Sequence, residues 1–194
     1  MDWSQFIQRL FELAGPYLDV RKDLPHAQVS HQYALRLLQT EGGNYRIVEP
    51  AVILHDVGWS KLTPEEIKMA YGVRISGEEA ARLNRIHEIE GAVIAGQLLQ
   101  NLNYDPALTE QITLMISRHD SGRHPDSLEE KLLQDADKLW RFSAVGFWEE
   151  IQRQGLEPWE LYHFLAVRRP KWFYTATALT LAEEELKDRD KELG

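Results

Sequence analysis

The sequence predicts an all-α protein of roughly eight to ten helices. Three observations carry this. Apolar residues recur three and four positions apart along almost the whole chain. Strand-like alternation is scarce. Helix-starting signals, Thr63-Pro64 and Asp105-Pro106 among them, stand ahead of several of the periodic stretches.

Taken in order, Trp3, Phe6, Ile7, Leu10 and Leu13 form one helical face, with an expected stop at Gly15-Pro16. Arg21 to Pro25 reads as a short joint. The next helix covers about 26–40, with Ala34, Leu35, Leu37 and Leu38 as core candidates, and Glu41-Gly-Gly-Asn44 stops it. A helix over about 47–57 carries the doublet His55-Asp56 near its end. Thr63 and Ser76 head two further starts, the second opening a long helix over about 78–100. Asp105-Pro106 opens a helix reaching His119, and a polar loop runs from Asp120 to Asp126. Another helix ends around Leu132–Leu139. Phe147, Trp148 and Ile151 mark one later segment; Trp159, Leu161, Tyr162, Phe164 and Leu165 mark the next, which Pro170 should break. Trp172, Phe173 and Tyr174 should begin a last amphipathic helix whose charged end, Glu183 to Gly194, reads as solvated or frayed.

Composition sets the bounds. At 194 residues and 43% apolar content, one domain over 1–194 with one core is expected. There is no cysteine, which excludes disulfide scaffolds, thiolate catalysis and zinc–cysteine sites. Neither a signal peptide nor a run of about 18 apolar residues occurs, so a cytoplasmic protein without a membrane partner is expected. The net charge of -9 makes a broad nucleic-acid surface an unsuitable reading, although a nucleotide substrate fits.

The chemistry gathers at Ala51-Val-Ile-Leu-His-Asp-Val-Gly-Trp59. Two ionisable groups inside an apolar run need compensation, and a metal ion supplies it, because imidazole nitrogen and carboxylate oxygen are both ligands. Seven histidines occur in the chain. His26, His55, Asp56 and Asp137 make a two-histidine, two-carboxylate set, which helices distant in sequence can deliver to one cleft. His87 and His119 can hold a second ion, with Asp56 bridging. Donors without sulfur suit iron or manganese best, with zinc, nickel or magnesium also compatible. Any one of these histidines alone would be a structural residue; the joint pattern gives the signal.

These residues resemble the HD superfamily of metal-dependent phosphohydrolases. The likeness rests on five elements in order: His26 followed by Glu41-Gly42, Ile53-Leu-His-Asp-Val-Gly58, His87-Glu-Ile-Glu-Gly-Ala92, Ile116-Ser-Arg-His119 and Asp135-Ala-Asp-Lys-Leu139. It spans about residues 20–142, with the helices of 143–190 packed on that core. It implies an HD-like helical bundle in which His26, His55, Asp56 and Asp137 bind one ion, while His87 and His119 complete a two-metal site. Asp120 after His119 and Trp140 after Leu139 depart from the family pattern, and the Gly-Tyr-Pro signature of its cyclic-dinucleotide phosphodiesterases is missing.

The expected reaction is hydrolysis of a phosphomonoester or phosphodiester of a small molecule, a nucleotide being one candidate, by a metal-activated water. Asp56 would bridge the metals and orient that water. Lys61 and Arg118 are candidate phosphate contacts, with His124 a weaker one. Lys138 is read as solvent-facing, Asp120 as a support for a ligand or a helix cap, and Asp135 as a cap or structural acid. Arg82 and Arg85 have weak claims, and His163 reads as structural. The aromatic residues of 140–174 read as core, with a base-stacking surface or a homodimer face as alternatives. Two other classes stay open: a mixed-valence di-iron oxygenase of the same superfamily, and a non-catalytic metal-containing sensor or interaction domain.

Overall fold

The computed structural model describes residues 2–121 and 124–194; Gly122 and Arg123 of the expected polar loop lie outside the described residues. Among the described residues there is no strand, and ten α-helices follow one another. They are α1 (Trp3–Leu18), α2 (Leu24–Glu41), α3 (Tyr45–Leu54), α4 (Pro64–Ala70), α5 (Glu78–Asn101), α6 (Pro106–Ile116), α7 (Leu128–Trp140), α8 (Ala144–Gln154), α9 (Pro158–Trp172) and α10 (Ala176–Leu193). A 3-10 turn, Val57–Lys61, connects α3 to α4.

The starts follow the cap chemistry. Thr63 accepts from the Glu66 amide while the Glu66 side chain accepts from the Thr63 amide, a reciprocal box that satisfies two free donors. Asp105 accepts from the amides of Ala107 and Leu108, and Ser127 from that of Glu130. The α5 start falls on Gly77, one residue past Ser76.

The expected stops fare less well, for reasons of burial. Pro16 lies inside α1, which continues to Leu18. One hydrogen bond lost near a helix end is offset by burying Leu18, the fourth member of the face Phe6, Leu10, Ala14, Leu18. Pro170 likewise sits inside α9, which runs to Trp172. Phe173 and Tyr174 therefore belong to the joint before α10, whose cap is Thr175. Asp135 fixes that joint, accepting from the Tyr174 amide, the Thr175 amide and the Thr175 hydroxyl at 2.7–2.9 Å. The charged tail is not frayed: α10 extends to Leu193, with Leu186 and Arg189 buried and Tyr33 of α2 donating to Glu185 (2.6 Å). Its dense charge masks an inward row of Ala182, Leu186 and Arg189 at spacings of four and three. Leu35 is exposed, because α2 turns Ala27, Tyr33, Ala34 and Leu37 inward instead.

One buried apolar cluster draws on every helix except α4. That helix contributes Ile67 and Ala70 to a smaller cluster with Trp59, Leu62 and Leu83. Trp140, Phe142 and Phe147 are fully buried, as a core role requires, whereas Trp148 and Trp159 of the same stretch are exposed. α2 packs along both α3 and α7, and α5 packs along the 3-10 turn and α6. Those pairings converge on one point. No helix of the described residues is long and apolar enough to cross a membrane.

Candidate metal centre

Helix ends present two of the histidines. The last carbonyls of an α-helix have no partner within it. His55, capping α3, donates from Nδ1 to the Val52 carbonyl (2.7 Å). His119, just past α6, donates from Nδ1 to the Ile116 carbonyl (2.8 Å). A carbonyl only accepts, so Nδ1 carries a hydrogen in both rings, and in the neutral ring it is Nε2 that keeps the lone pair. The same three-residue device occurs twice. His26 comes from the first turn of α2, just behind Pro25, and its ring lies over Trp140 (5.2 Å). His87, from the middle of α5, lies flat on Trp59 at 4.0 Å. Asp137 is in the last turn of α7.

Asp56 sits between them. Its Oδ2 is 3.2 Å from His26 Nδ1 and 3.6 Å from His55 Nε2. Its Oδ1 is 3.7 Å from the Nε2 atoms of both His87 and His119. Asp137 Oδ1 approaches His26 Nε2 at 3.0 Å and His55 Nε2 at 3.4 Å. Thus His26, His55 and Asp56 form one group with metal-binding spacing, and Asp56, His87 and His119 form another. The six residues expected from the sequence meet at one place, and Asp56 belongs to both halves.

The donors fit a cation. His55 Nε2 and both nitrogens of His87 are buried without a hydrogen-bond partner. An unsatisfied buried polar group costs about 1–3 kcal/mol, and a divalent ion at the imidazole lone pairs removes that cost. Imidazoles and carboxylates without sulfur suit hard or borderline divalent metals.

Charge balance points the same way. Burial disfavours the imidazolium of His26, but Asp137 and Asp56 outweigh it and bring the pKa up to about 9. Burial and Asp56 compete in the same manner at His119, also raised to about 9. His87 is pushed well below the usual range by burial and by His119. Burial opposes ionisation of Asp56, yet His55 and Arg21 hold it well below the usual carboxylate range. Asp137 is held low by His26 and His55, against its burial. Protons on His26 and His119 thus balance the carboxylates, and metal binding must displace them.

Close backbone approach joins the two halves. A Cβ on Gly58 would lie 1.9 Å from the His87 carbonyl oxygen and 2.5 Å from the Gly91 nitrogen. The glycine after the doublet is therefore what lets the 3-10 turn lie against α5 and bring Asp56 to His87.

The sequence reading missed the groups that orient Asp56. Arg21 donates from Nη2 to Asp56 Oδ2 (2.9 Å) and from Nε to Asp23. Its guanidinium lies between the rings of Trp59 (4.7 Å) and Tyr71 (4.3 Å). Trp59 Nε1 donates to Asp56 Oδ1 (3.0 Å). Glu88, fully buried on α5, accepts from the amides of Asp120 and Ser121 at 2.7 Å and so anchors the segment after His119. A charged pair three and five residues ahead of His26 was the available signal for Arg21 and Asp23.

The remaining candidates are placed elsewhere or engaged. Lys61 is exposed at the end of the 3-10 turn. Arg118 is held by Glu130 and lies 3.2 Å from Asp126. His124 is exposed, edge-on to Tyr174. Lys138 does not simply face solvent: it is half-buried, donates to the Trp172 carbonyl (3.1 Å) and lies over Tyr174. Arg82 pairs with Glu79, and Arg85 with Glu88. His163 is exposed and stacks on Trp159. Trp140, at the position where the pattern departs, backs His26 and donates from Nε1 to Glu150 (3.2 Å). A cleft of about 260 Å³ runs from Asp120 and Asp137 past Arg141 to Tyr71 and Trp172.

The HD domain family model matches residues 26–141, from His26 to just past Asp137. The chain belongs to the HD domain family. Two solved structures share the HD fold over essentially the whole chain. A predicted HD superfamily hydrolase from an uncultured Thermotogales bacterium is 19% identical, covers 100% of this chain and 95% of its own, and has a TM-score of 0.65. An HD-superfamily hydrolase from Bacillus thuringiensis is 21% identical, covers 98% and 94%, and has a TM-score of 0.62. No curated protein matches the chain. The HD match spans all the residues that converge here, and those residues suit divalent metal binding.

Proposed function

We propose that this HD protein is a metal-dependent hydrolase that cleaves a phosphoester bond of a small molecule, nucleotides among the candidates, with two divalent ions, iron or manganese by preference. One observation carries the reading: the Asp56 carboxylate presents one oxygen to His26 and His55 and the other to His87 and His119. A merely structural ion needs a closed set of four ligands; a carboxylate shared between two incomplete sets suits a paired, open site. The hydrolase names of the two similar structures support the same reaction class.

Ions held there supply Lewis acidity, lowering the pKa of a coordinated water and offsetting charge on phosphoryl oxygens. The chain's own groups do the rest. Asp56 spans the two halves and directs the nucleophilic water. Arg21 and Trp59 fix its rotamer from opposite oxygens. The Val52 and Ile116 carbonyls lock His55 and His119 in the ligating tautomer. Asp120 lines the cleft, and desolvation raises its pKa above the ordinary carboxylate value. A carboxyl there is suited to pass a proton to the leaving alkoxide.

The test is phosphate release from small phosphomonoesters and phosphodiesters by protein loaded with manganese or iron, under argon and in air. Release without oxygen, lost on chelation and restored by the ion, is the expected result. Turnover that requires oxygen and a half-reduced iron pair would replace this reading with the oxygenase. Chelation that lowers the melting temperature of a protein with no turnover on any ester would replace it with the non-catalytic sensor.

A further inference from the structure

The arginines near the centre differ in what neutralises them. Arg21 pairs with Asp23 and Asp56, Arg153 with Asp23, Arg118 with Glu130 and Arg74 with Glu160. The larger hollow beyond Tyr71, about 430 Å³, is bordered by Arg21, Arg74 and Arg153, so its guanidinium charges already have carboxylate partners. Arg141 is different. It caps α7, one helical turn past Asp137, on the same side of the helix. It is half-buried. Its one side-chain hydrogen bond among the described residues runs from Nη2 to the Tyr71 hydroxyl (3.2 Å), and Tyr71 in turn donates to Glu150. No carboxylate lies within ion-pair distance of it among the described residues.

A guanidinium offers five N–H donors in a planar fork. A desolvated one with a single neutral hydrogen-bond partner has donors to spare, and the carboxylates of Asp137, Glu150 and Asp120 act on it only from beyond ion-pair distance. Arg141 also borders the cleft that reaches Asp137 and that Tyr71, Phe164 and Trp172 line as well. The Tyr71 contact and the Glu150 behind it hold the fork in place, so little order remains to be created on binding an anion.

We infer that Arg141 is the phosphoryl-binding residue of the cleft: its guanidinium grips the non-bridging oxygens of a small phosphomonoester beside Asp137, with the organic part lying towards Trp172. This rests on the hydrolase reading for the fate of the ester, and on the cleft alone for the binding. A cleft of about 260 Å³ takes a phosphoryl group with a compact alcohol. Arg118 and Lys61, the cations suggested by sequence position, are respectively engaged by Glu130 and exposed at the surface.

The test uses inorganic phosphate as the probe, titrated calorimetrically into manganese-loaded protein. Arg141→Gln removes the fork and its charge, and is expected to weaken phosphate binding roughly 10- to 100-fold with manganese content unchanged. Arg141→Lys keeps a charge on a compact head and is expected to lose several-fold. Melting curves identify which variant is folded. Phosphate affinity within twofold of the parent, in whichever variant folds, overturns the assignment. Arginine-dependent phosphate binding by a protein that hydrolyses no ester would sink the hydrolase reading and leave this site standing. Ester hydrolysis with phosphate binding indifferent to Arg141 would do the reverse.

Discussion

The two halves of the centre share Asp56 but are built differently. On the α2–α7 side, His26 and His55 face two carboxylates, Asp56 and Asp137. On the α5–α6 side, His87 and His119 face only the other oxygen of Asp56. The first half offers an ion the full charge of Asp137 and a share of that of Asp56, the second only a share of Asp56. At these separations a carboxylate dominates the attraction for a divalent ion. The first half should therefore fill first and hold its ion more tightly. The second should fill later and leave more room for water and substrate. His87 fits that role, since neither of its nitrogens is committed to a hydrogen bond.

The largest effect belongs to the shared residue. Asp56→Ala should remove metal from both halves and bring turnover to background, while far-ultraviolet circular dichroism retains its helical signal. Normal turnover in that variant would end the bridging role. Next comes the seam between the halves. Gly58→Ala places a methyl group against backbone atoms of α5 at 1.9 and 2.5 Å, so a helix must move. Destabilisation of about 3 kcal/mol or more is expected in chemical denaturation. Gly91→Ala meets its nearest atom, the His55 carbonyl oxygen, at 3.3 Å, and should cost about 1 kcal/mol. Equal costs would mean that the contact is not what joins the halves.

The asymmetry of the halves also marks how far sequence reasoning reaches. The six candidate ligands were legible because each stands next to a local signal: Pro25 before His26, an apolar run before His55-Asp56, Gly91-Ala92 four residues beyond His87, and a helix end beside His119 and Asp137. The helical class was legible from periodicity, which burial enforces. Arg21 and Arg141 were not, because a charged residue at a helix boundary has the same pattern whether it faces water or a cleft. Only the third dimension brings Tyr71 between them. The stops at Pro16 and Pro170 were misread because a proline's local cost is fixed, whereas the gain from burying Leu18 depends on what packs against it.

Removing one ligand at a time separates the halves. His87→Gln should leave the α2–α7 side with its two histidines and two carboxylates, so elemental analysis should find about one ion per chain against an expected two in the parent. Asp137→Asn should lower the affinity of the tighter half, by about 10- to 100-fold if it behaves like other losses around metal ligands, and so bring the two affinities together. Loss of both ions on His87→Gln would show that the halves fill as a unit, and would break the comparison.

The mildest probe is pH, and it acts on both halves through one imidazole each. His26 and His119, raised to about 9 by their carboxylate neighbours against the pull of burial, carry protons below that pH. An ion needs the neutral ring, so each half must release a proton as it fills, and apparent affinity falls as pH drops below about 9. The expected slope is about tenfold per pH unit for each proton displaced, since a unit of pKa is worth about 1.4 kcal/mol. His87, pushed well below its usual range, contributes nothing to this slope near neutrality. Calorimetry in buffers of different ionisation enthalpy counts the protons directly: about one per ion near pH 7 is expected for each half. None released in one half would mean that its histidine is already neutral, and would place the charge balance of the centre on Arg21 instead.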